Sequence, residues 1–216
     1  NSKIIVLDQK DKFSKQALFS NGWKELYGDL IEWRAAQFGG KVVSVDPVKK
    51  IVVTEDEEVQ ADVLNYIPNQ KASQLAFDSG LVADGKDWCD IHPKTFESKL
   101  VKNVHVIGDA SNAAPMPKSA FSASTQGKVV ALQIARMLKQ QEPLNPPKLA
   151  NTCYSLLNPN YSISIAAVYN ALDDKIQNVD GAGGVSPETD PDGHIRILEA
   201  KYAYAWYESQ TADIFK

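Results

Sequence analysis

The chain has 216 residues, 44% of them hydrophobic and 23% charged, with a formal net charge of −4. That length supplies a core for one large domain or two modest ones, and the near-average composition excludes wholesale disorder, collagen-like repeats and a disulfide-dense miniprotein. The acidic balance argues against broad nucleic-acid binding, and two cysteines, Cys89 and Cys153, allow one internal bridge at most and make no zinc site.

The chain opens on Asn1-Ser2-Lys3, without an initiator Met or a signal-peptide pattern, and the expectation is a piece of a longer protein. Residues 4–7 are an apolar run ending in Asp8, as in a parallel strand of an α/β domain. Leu26, Leu30, Trp33 and Phe38 fall near helical spacing, so residues 24–38 read as a helix closed by Gly39-Gly40. Residues 41–45 and 51–54 flank Asp46-Pro47 and read as a hairpin; the acidic run 55–58 reads as a solvated strand end or turn. A strand is expected over 61–67, stopped by Pro68, then helical character over 72–79, ended by Gly80.

Residues 104–107 form a further apolar strand that runs into Gly108-Asp109-Ala110. A helix follows over about 118–139, with Val130, Ile134, Met137 and Leu138 on its expected buried face. Pro143, Pro146 and Pro147 mark residues 140–148 as the clearest linker. Beyond it, residues 153–157 and 161–168 read as two strands around Asn158-Pro159-Asn160, and 181–193 as a Gly/Pro/Asp-rich loop. Residues 198–215 read as a helix with Tyr202 and Trp206 on one face. The longest uncharged run, 149–172, is broken by Asn151, Asn158, Pro159, Asn160 and Asn170, so no segment has the pattern of a membrane span.

The chemistry concentrates around Gly108-Asp109 and the segment Pro115-Met116-Pro117-Lys118-Ser119. A strand that delivers Gly and Asp to its carboxyl end places them where open α/β sheets bind ligands. The glycine permits close backbone approach, and the Asp can accept hydrogen bonds from ribityl or ribose hydroxyls. The helix start that follows, with its free N–H groups and dipole, favours negative charge such as that of a reduced flavin. On Gly-Asp alone, a strand–turn–helix whose Asp is only a cap stands as an equal reading. Lone cysteines commonly behave as small hydrophobes, and the three histidines show no partner in sequence.

Strand-Gly-Asp-Ala followed by a long helix resembles the second flavin-binding motif of the pyridine nucleotide–disulfide oxidoreductases. With Phe96-Glu97-Ser98, the segment 112–119, Asn151-Thr152-Cys153-Tyr154-Ser155 and the segment 202–207, the chain resembles more narrowly the flavoprotein subunit of flavocytochrome c sulfide dehydrogenase. The likeness runs through nearly all of the chain, as the C-terminal half of that subunit. Sulfide:quinone oxidoreductases are more distant relatives.

The resemblance implies an α/β fold: partial doubly wound nucleotide-binding-like domains plus a C-terminal α+β interface domain. It divides the chain into residues 1–85 (the remainder of a second, NAD-like domain), 86–148 (the return segment of an FAD-binding domain) and 149–216 (a C-terminal domain). It implies FAD as cofactor, with Gly108, Asp109, Met116, Pro117, Lys118 and Ser119 around it and Trp206 as an aromatic wall. It implies Cys153 as the catalytic redox cysteine, paired with a cysteine outside these residues; Cys89 receives no redox role. The expected activity is oxidation of sulfide to polysulfide or sulfur, with electrons passed to a c-type cytochrome subunit in the periplasm. No metal, nucleic acid or membrane span enters this reading. The Gly-rich phosphate-binding loop of the family has no counterpart here, since Gly181-Ala182-Gly183-Gly184 lacks the strand–helix context. The FAD site is therefore incomplete in this chain, and the isolated chain is expected to be inactive. The alternatives are a sulfide:quinone oxidoreductase-like flavoprotein, which would need an apolar docking element at its C-terminus, and an inert fragment with only a binding or structural role.

Overall fold

The computed structural model describes residues 2–215. Helices and sheets are mixed along the chain, and the strands form three separate small sheets. The first begins with β1 (Ile4–Leu7), crosses through α1 (Gln16–Tyr27), and closes with β2 (Ile31–Arg34), which pairs parallel with β1 from Ile4 opposite Ile31 to Leu7 opposite Arg34. The helix expected over 24–38 therefore holds only at residues 24–27, the last turn of α1. Gly28, at φ 61, ends α1 in a conformation that a side chain resists, and pairing with β1 claims residues 31–34. Trp33 fixes that register further by donating its Nε1 hydrogen to Asp8 Oδ2 at 3.2 Å.

The second sheet contains β3 (Val42–Asp46), β4 (Ile51–Thr54) and β5 (Glu58–Gln60), all antiparallel. The hairpin at Asp46-Pro47 is present, and the Asp46 carboxylate accepts from the N–H groups of Val48 and Lys49. The acidic run forms the next turn, where Thr54 Oγ1 accepts from the N–H groups of Asp56 and Glu57. The strand expected over 61–67 does not form. Val63, Tyr66 and Ile67 are exposed, and no strand pairs along this segment among the described residues.

A short helix, α2 (Gln74–Asp78), precedes a long irregular segment whose side chains Cys89, Ile91, Phe96, Val106, Ala113 and Met116 form the main core. The strand expected at 104–107 is only an extended stretch paired briefly with residues 96–98, through the bridge His105 to Glu97 and the bonds Ser98 N–H to Val104 O and Val106 N–H to Phe96 O; Phe96, at φ 58, turns the partner segment away. The long helix α3 (Ala120–Leu138) starts at the N-cap Ser119, whose hydroxyl oxygen accepts from Ser122 N–H. Its buried stripe is Ser122, Gln126, Val130 and Gln133; of the apolar face expected, Val130 is buried and Ile134 packs against the core, while Met137 and Leu138 are exposed. The buried glutamines are tolerated because they are paired. Gln133 donates to Lys94 O and accepts from Leu144 N–H, and Gln126 accepts from Gly108 N–H.

The third sheet is the largest. Strand β6 (Lys148–Asn158) turns at residues 159–160 into β7 (Tyr161–Ala171), and β8 (Ile176–Val185) follows antiparallel on the far side. The expected loop thus begins five residues late, at 186. The glycines of 181–184 serve close approach instead, since a Cβ on Gly183 would stand 2.4 Å from Ala166 O. Helix α4 (His194–Phe215) covers the sheet and starts four residues earlier than the sequence suggests. Asp190 Oδ2 accepts from Arg196 N–H in its first turn. One strand carries both cores of the molecule: Leu149 of β6 belongs to the main core, and Leu157, at the other end, packs with Leu18 of α1 and Ile163.

Candidate functional site

Alternate residues of β6 share a face, so Leu149, Asn151, Cys153, Ser155 and Leu157 form one row. The ends of the row are apolar and buried; its middle, Asn151-x-Cys153-x-Ser155, is polar. That polar middle sits between the two cores and next to the start of α3. Asn151 is 3% exposed, and its Oδ1 accepts from Ser119 Oγ at 2.6 Å and Ser122 Oγ at 3.1 Å. With the oxygen claimed by two hydroxyls, the amide nitrogen faces Cys153 Sγ at 3.3 Å. Cys153 lies opposite Ile165 of β7, is half-buried, and is a free thiol.

From the other side, Lys15 reaches the same strand. Its Nζ donates to Cys153 O at 3.1 Å and to Ser155 Oγ at 2.8 Å. Burial pushes this ammonium below its ordinary pKa, and the charges of Cys153 and Glu199 pull it back up. Glu199 itself is held by the hydroxyls of Ser164 and Ser186, both at 2.7 Å.

The Gly108-Asp109 turn lies at the same helix. Gly108 has φ +67, and a Cβ there would touch Ala123 Cβ of α3 at 3.4 Å, so glycine lets the turn lie close against the helix. Asp109 is exposed, and its carboxylate enters no hydrogen bond among the described residues. Lys118 acts as a clamp for this turn: its Nζ donates to Asp109 O at 2.6 Å and Ser111 O at 2.9 Å, and lies 3.7 Å from the centre of the Trp88 ring. Burial lowers the Lys118 pKa, with Asp109 and Cys89 opposing that shift. Met116 is in the core, where its sulfur accepts from Gln126 Nε2 at 3.7 Å, while Pro117 is exposed. Trp206 of α4 stacks on Phe121 in the first turn of α3, with ring centres 5.5 Å apart and planes at 13°.

Ser119, Phe121, Trp206, Asn151 and Cys153 thus converge on the beginning of α3. Cys89 is elsewhere: it is fully buried under the Gly108 turn, its backbone paired with Ala110 O and Asn112 N–H, and burial pushes its thiol pKa up. Sequence reasoning missed Asn151, Lys15 and Gln126. Asn151 had a signal in its i, i+2 relation to Cys153 on a strand. Lys15, separated by 138 residues from Cys153, had none.

The chain thus combines an α/β organisation with a free thiol beside a helix start, and family models match most of it. Residues 145–215 match the family model for flavocytochrome c sulphide dehydrogenase, flavin-binding. Residues 1–68 match the model for the central region of the sulfide dehydrogenase [flavocytochrome c] flavoprotein chain. Together these matches cover well over half of the chain, which belongs to the family of flavocytochrome c sulfide dehydrogenase flavoprotein chains.

Proposed function

We propose that the protein carrying this chain is an FAD-dependent sulfide dehydrogenase that passes electrons to a c-type cytochrome, working in the periplasm. The observation that supports this most is the link Ser119–Asn151–Cys153, which ties a thiol to the start of the helix behind the Gly108-Asp109 turn. In this reading the domain limits fall near residues 85 and 148. The β1–α1–β2 crossover is then part of one doubly wound nucleotide-binding-like unit, and the Gly108 turn with α3 is part of a second.

The residues present fit a flavin. Gly108 leaves room for close approach, Asp109 is exposed and able to accept from ribityl hydroxyls, and Ser119 starts a helix whose dipole favours an anionic ring edge. Lys118 holds the turn in shape, and Trp206 with Phe121 walls the helix start. When bound, the flavin supplies a two-electron acceptor. Cys153 supplies sulfur chemistry. Hydrosulfide attacks a disulfide between Cys153 and a cysteine outside these residues. The S–S bond breaks, one sulfur leaves as thiolate and the other becomes a persulfide. Cys89, buried beneath the turn, is not placed to be that partner.

Sulfide-dependent cytochrome c reduction by the purified holoprotein tests the proposal, together with Asp109→Ala. The variant should fold like the parent and retain less flavin, because it loses a ligand acceptor and no core volume. Absence of sulfide-dependent reduction in the parent contradicts the activity; full flavin retention by the folded variant contradicts the site. The 216-residue chain alone should show no turnover and little visible flavin absorption.

A further inference from the structure

We infer that Lys15 is the residue that draws an anionic sulfur species to Cys153. The inference rests on the reading of Cys153 as the reacting thiol, and it adds a specificity-determining charge from a different part of the chain. Three observations carry it. First, Lys15 is held in place by long-range contacts: its ammonium bonds Cys153 O and Ser155 Oγ, on a strand more than a hundred residues away in sequence. Second, its backbone adopts a left-handed conformation, φ 60 and ψ 27, at the residue that precedes α1, and its side chain caps nothing in that helix. A lysine in that conformation is uncommon, and here it sends the side chain across to β6. Third, the ammonium is half-buried, where a charge acts through less solvent than at the surface.

An ammonium has three N–H donors, and two are accounted for by Cys153 O and Ser155 Oγ. Apart from the Phe19 ring, whose centre lies 5.6 Å from Nζ, the ammonium has no further partner among the described residues, and its charge acts on the neighbouring Cys153 thiol. Asn151 presents an N–H to the sulfur from the α3 side, so donors approach Cys153 from two directions. The ionisable groups that face this point are Glu199, which bears on Lys15, and Tyr169, which bears on Cys153 from β7. Hydrosulfide and persulfide are both anions whose negative sulfur suits an ammonium paired with an amide N–H. A neutral thiol gains nothing from the charge.

Alkylation separates charge from mere accessibility. Iodoacetate is an anion and iodoacetamide is neutral. Each forms the same kind of S–C bond with the thiolate and expels iodide. Rates are read at the Cys153-bearing peptide by mass spectrometry, on the folded protein at low ionic strength, after the Cys153 disulfide has been reduced with a phosphine and the phosphine removed. Lys15→Met should slow iodoacetate about 5–10-fold more than it slows iodoacetamide, because it removes one nearby positive charge. Lys15→Arg should keep the parental ratio, and added salt should narrow the gap between parent and Lys15→Met. An unchanged ratio in Lys15→Met, an equal slowing of both reagents, or a Cys153 that neither reagent modifies in the parent would each overturn the inference. Loss of the proposed sulfide activity in the parent holoprotein would instead remove the reading on which it rests, while the charge selectivity stayed measurable.

Discussion

The first sixty residues and the last seventy are built differently, although both match models of one family. The first region consists of strands of three to five residues whose side chains are mostly half-buried or exposed. Charged groups tie it together at the surface: Glu32 lies between Lys3 and Arg34, and Arg34 also reaches Glu57. The last region has two eleven-residue strands in register, with Leu149, Ile163, Tyr169 and Ala171 buried. Several of its polar groups are inside and paired, as with Asn151, Ser162, Ser186 and Glu199. Exposed ion pairs contribute little each, whereas buried polar groups cost heavily when a partner is lost. The difference teaches that fine positioning of the candidate thiol depends on the C-terminal sheet, to which the N-terminal region adds the packing of α1 and the contact from Lys15.

The largest expected contrast is in core truncation. Ile163→Ala should cost about 2–5 kcal/mol, since the side chain is fully buried between β7 and α1. Val6→Ala, at a position 37% exposed, should cost less than about 1 kcal/mol. Urea unfolding of both variants measures this, and equal losses would erase the distinction between the regions.

A smaller effect concerns the polar link. Asn151→Ala removes the acceptor of Ser119 and Ser122 and the donor to Cys153, and should cost about 1–3 kcal/mol. Ser119→Ala should cost about 0.5–2 kcal/mol through the lost cap. The double variant should fall short of the sum, because the two side chains share one hydrogen bond. Strict additivity would break the link between helix start and thiol.

The smallest effect is acid sensitivity of the first sheet. The Arg34 and Lys3 side chains hold Glu32 at a pKa of about 2, against an ordinary 4.5. A carboxylate depressed in the folded state contributes stability that is complete above its ordinary value and is lost as pH falls from 4.5 towards about 2. Glu32→Gln should flatten the pH dependence over that window, read from the fluorescence of neighbouring Trp33. An unchanged slope would show that these ion pairs do not hold β1 to β2.

What the sequence revealed follows the same division. The hairpins at 46–47 and 158–160 and the long helix near 118–139 are local features, decided by turn residues and periodicity, and they were legible. Residues 31–34 were not, because their strand state comes from pairing with β1. Residues 61–67 and 104–107 have strand composition, but the first pairs with no strand and the second with only a few residues, so composition misled. The buried face of α3 was misread because Gln126 and Gln133 are paid for by partners far along the chain. At the candidate site, Cys153 and Asp109 were visible through motif context. Asn151 and Lys15 act through tertiary contacts, which no short-range pattern announces.

The central claim is that Cys153 carries electrons from sulfide to the flavin, and anaerobic sulfide titration of the holoprotein tests it most directly. Parent and Cys89→Ser should lose flavin absorbance on adding sulfide. Cys153→Ser should keep its flavin oxidised in sulfide and still be bleached by a chemical reductant, since serine forms neither disulfide nor persulfide. If sulfide bleaches the Cys153→Ser flavin as fast as the parent's, the route does not pass through Cys153, and the assignment of this site is wrong.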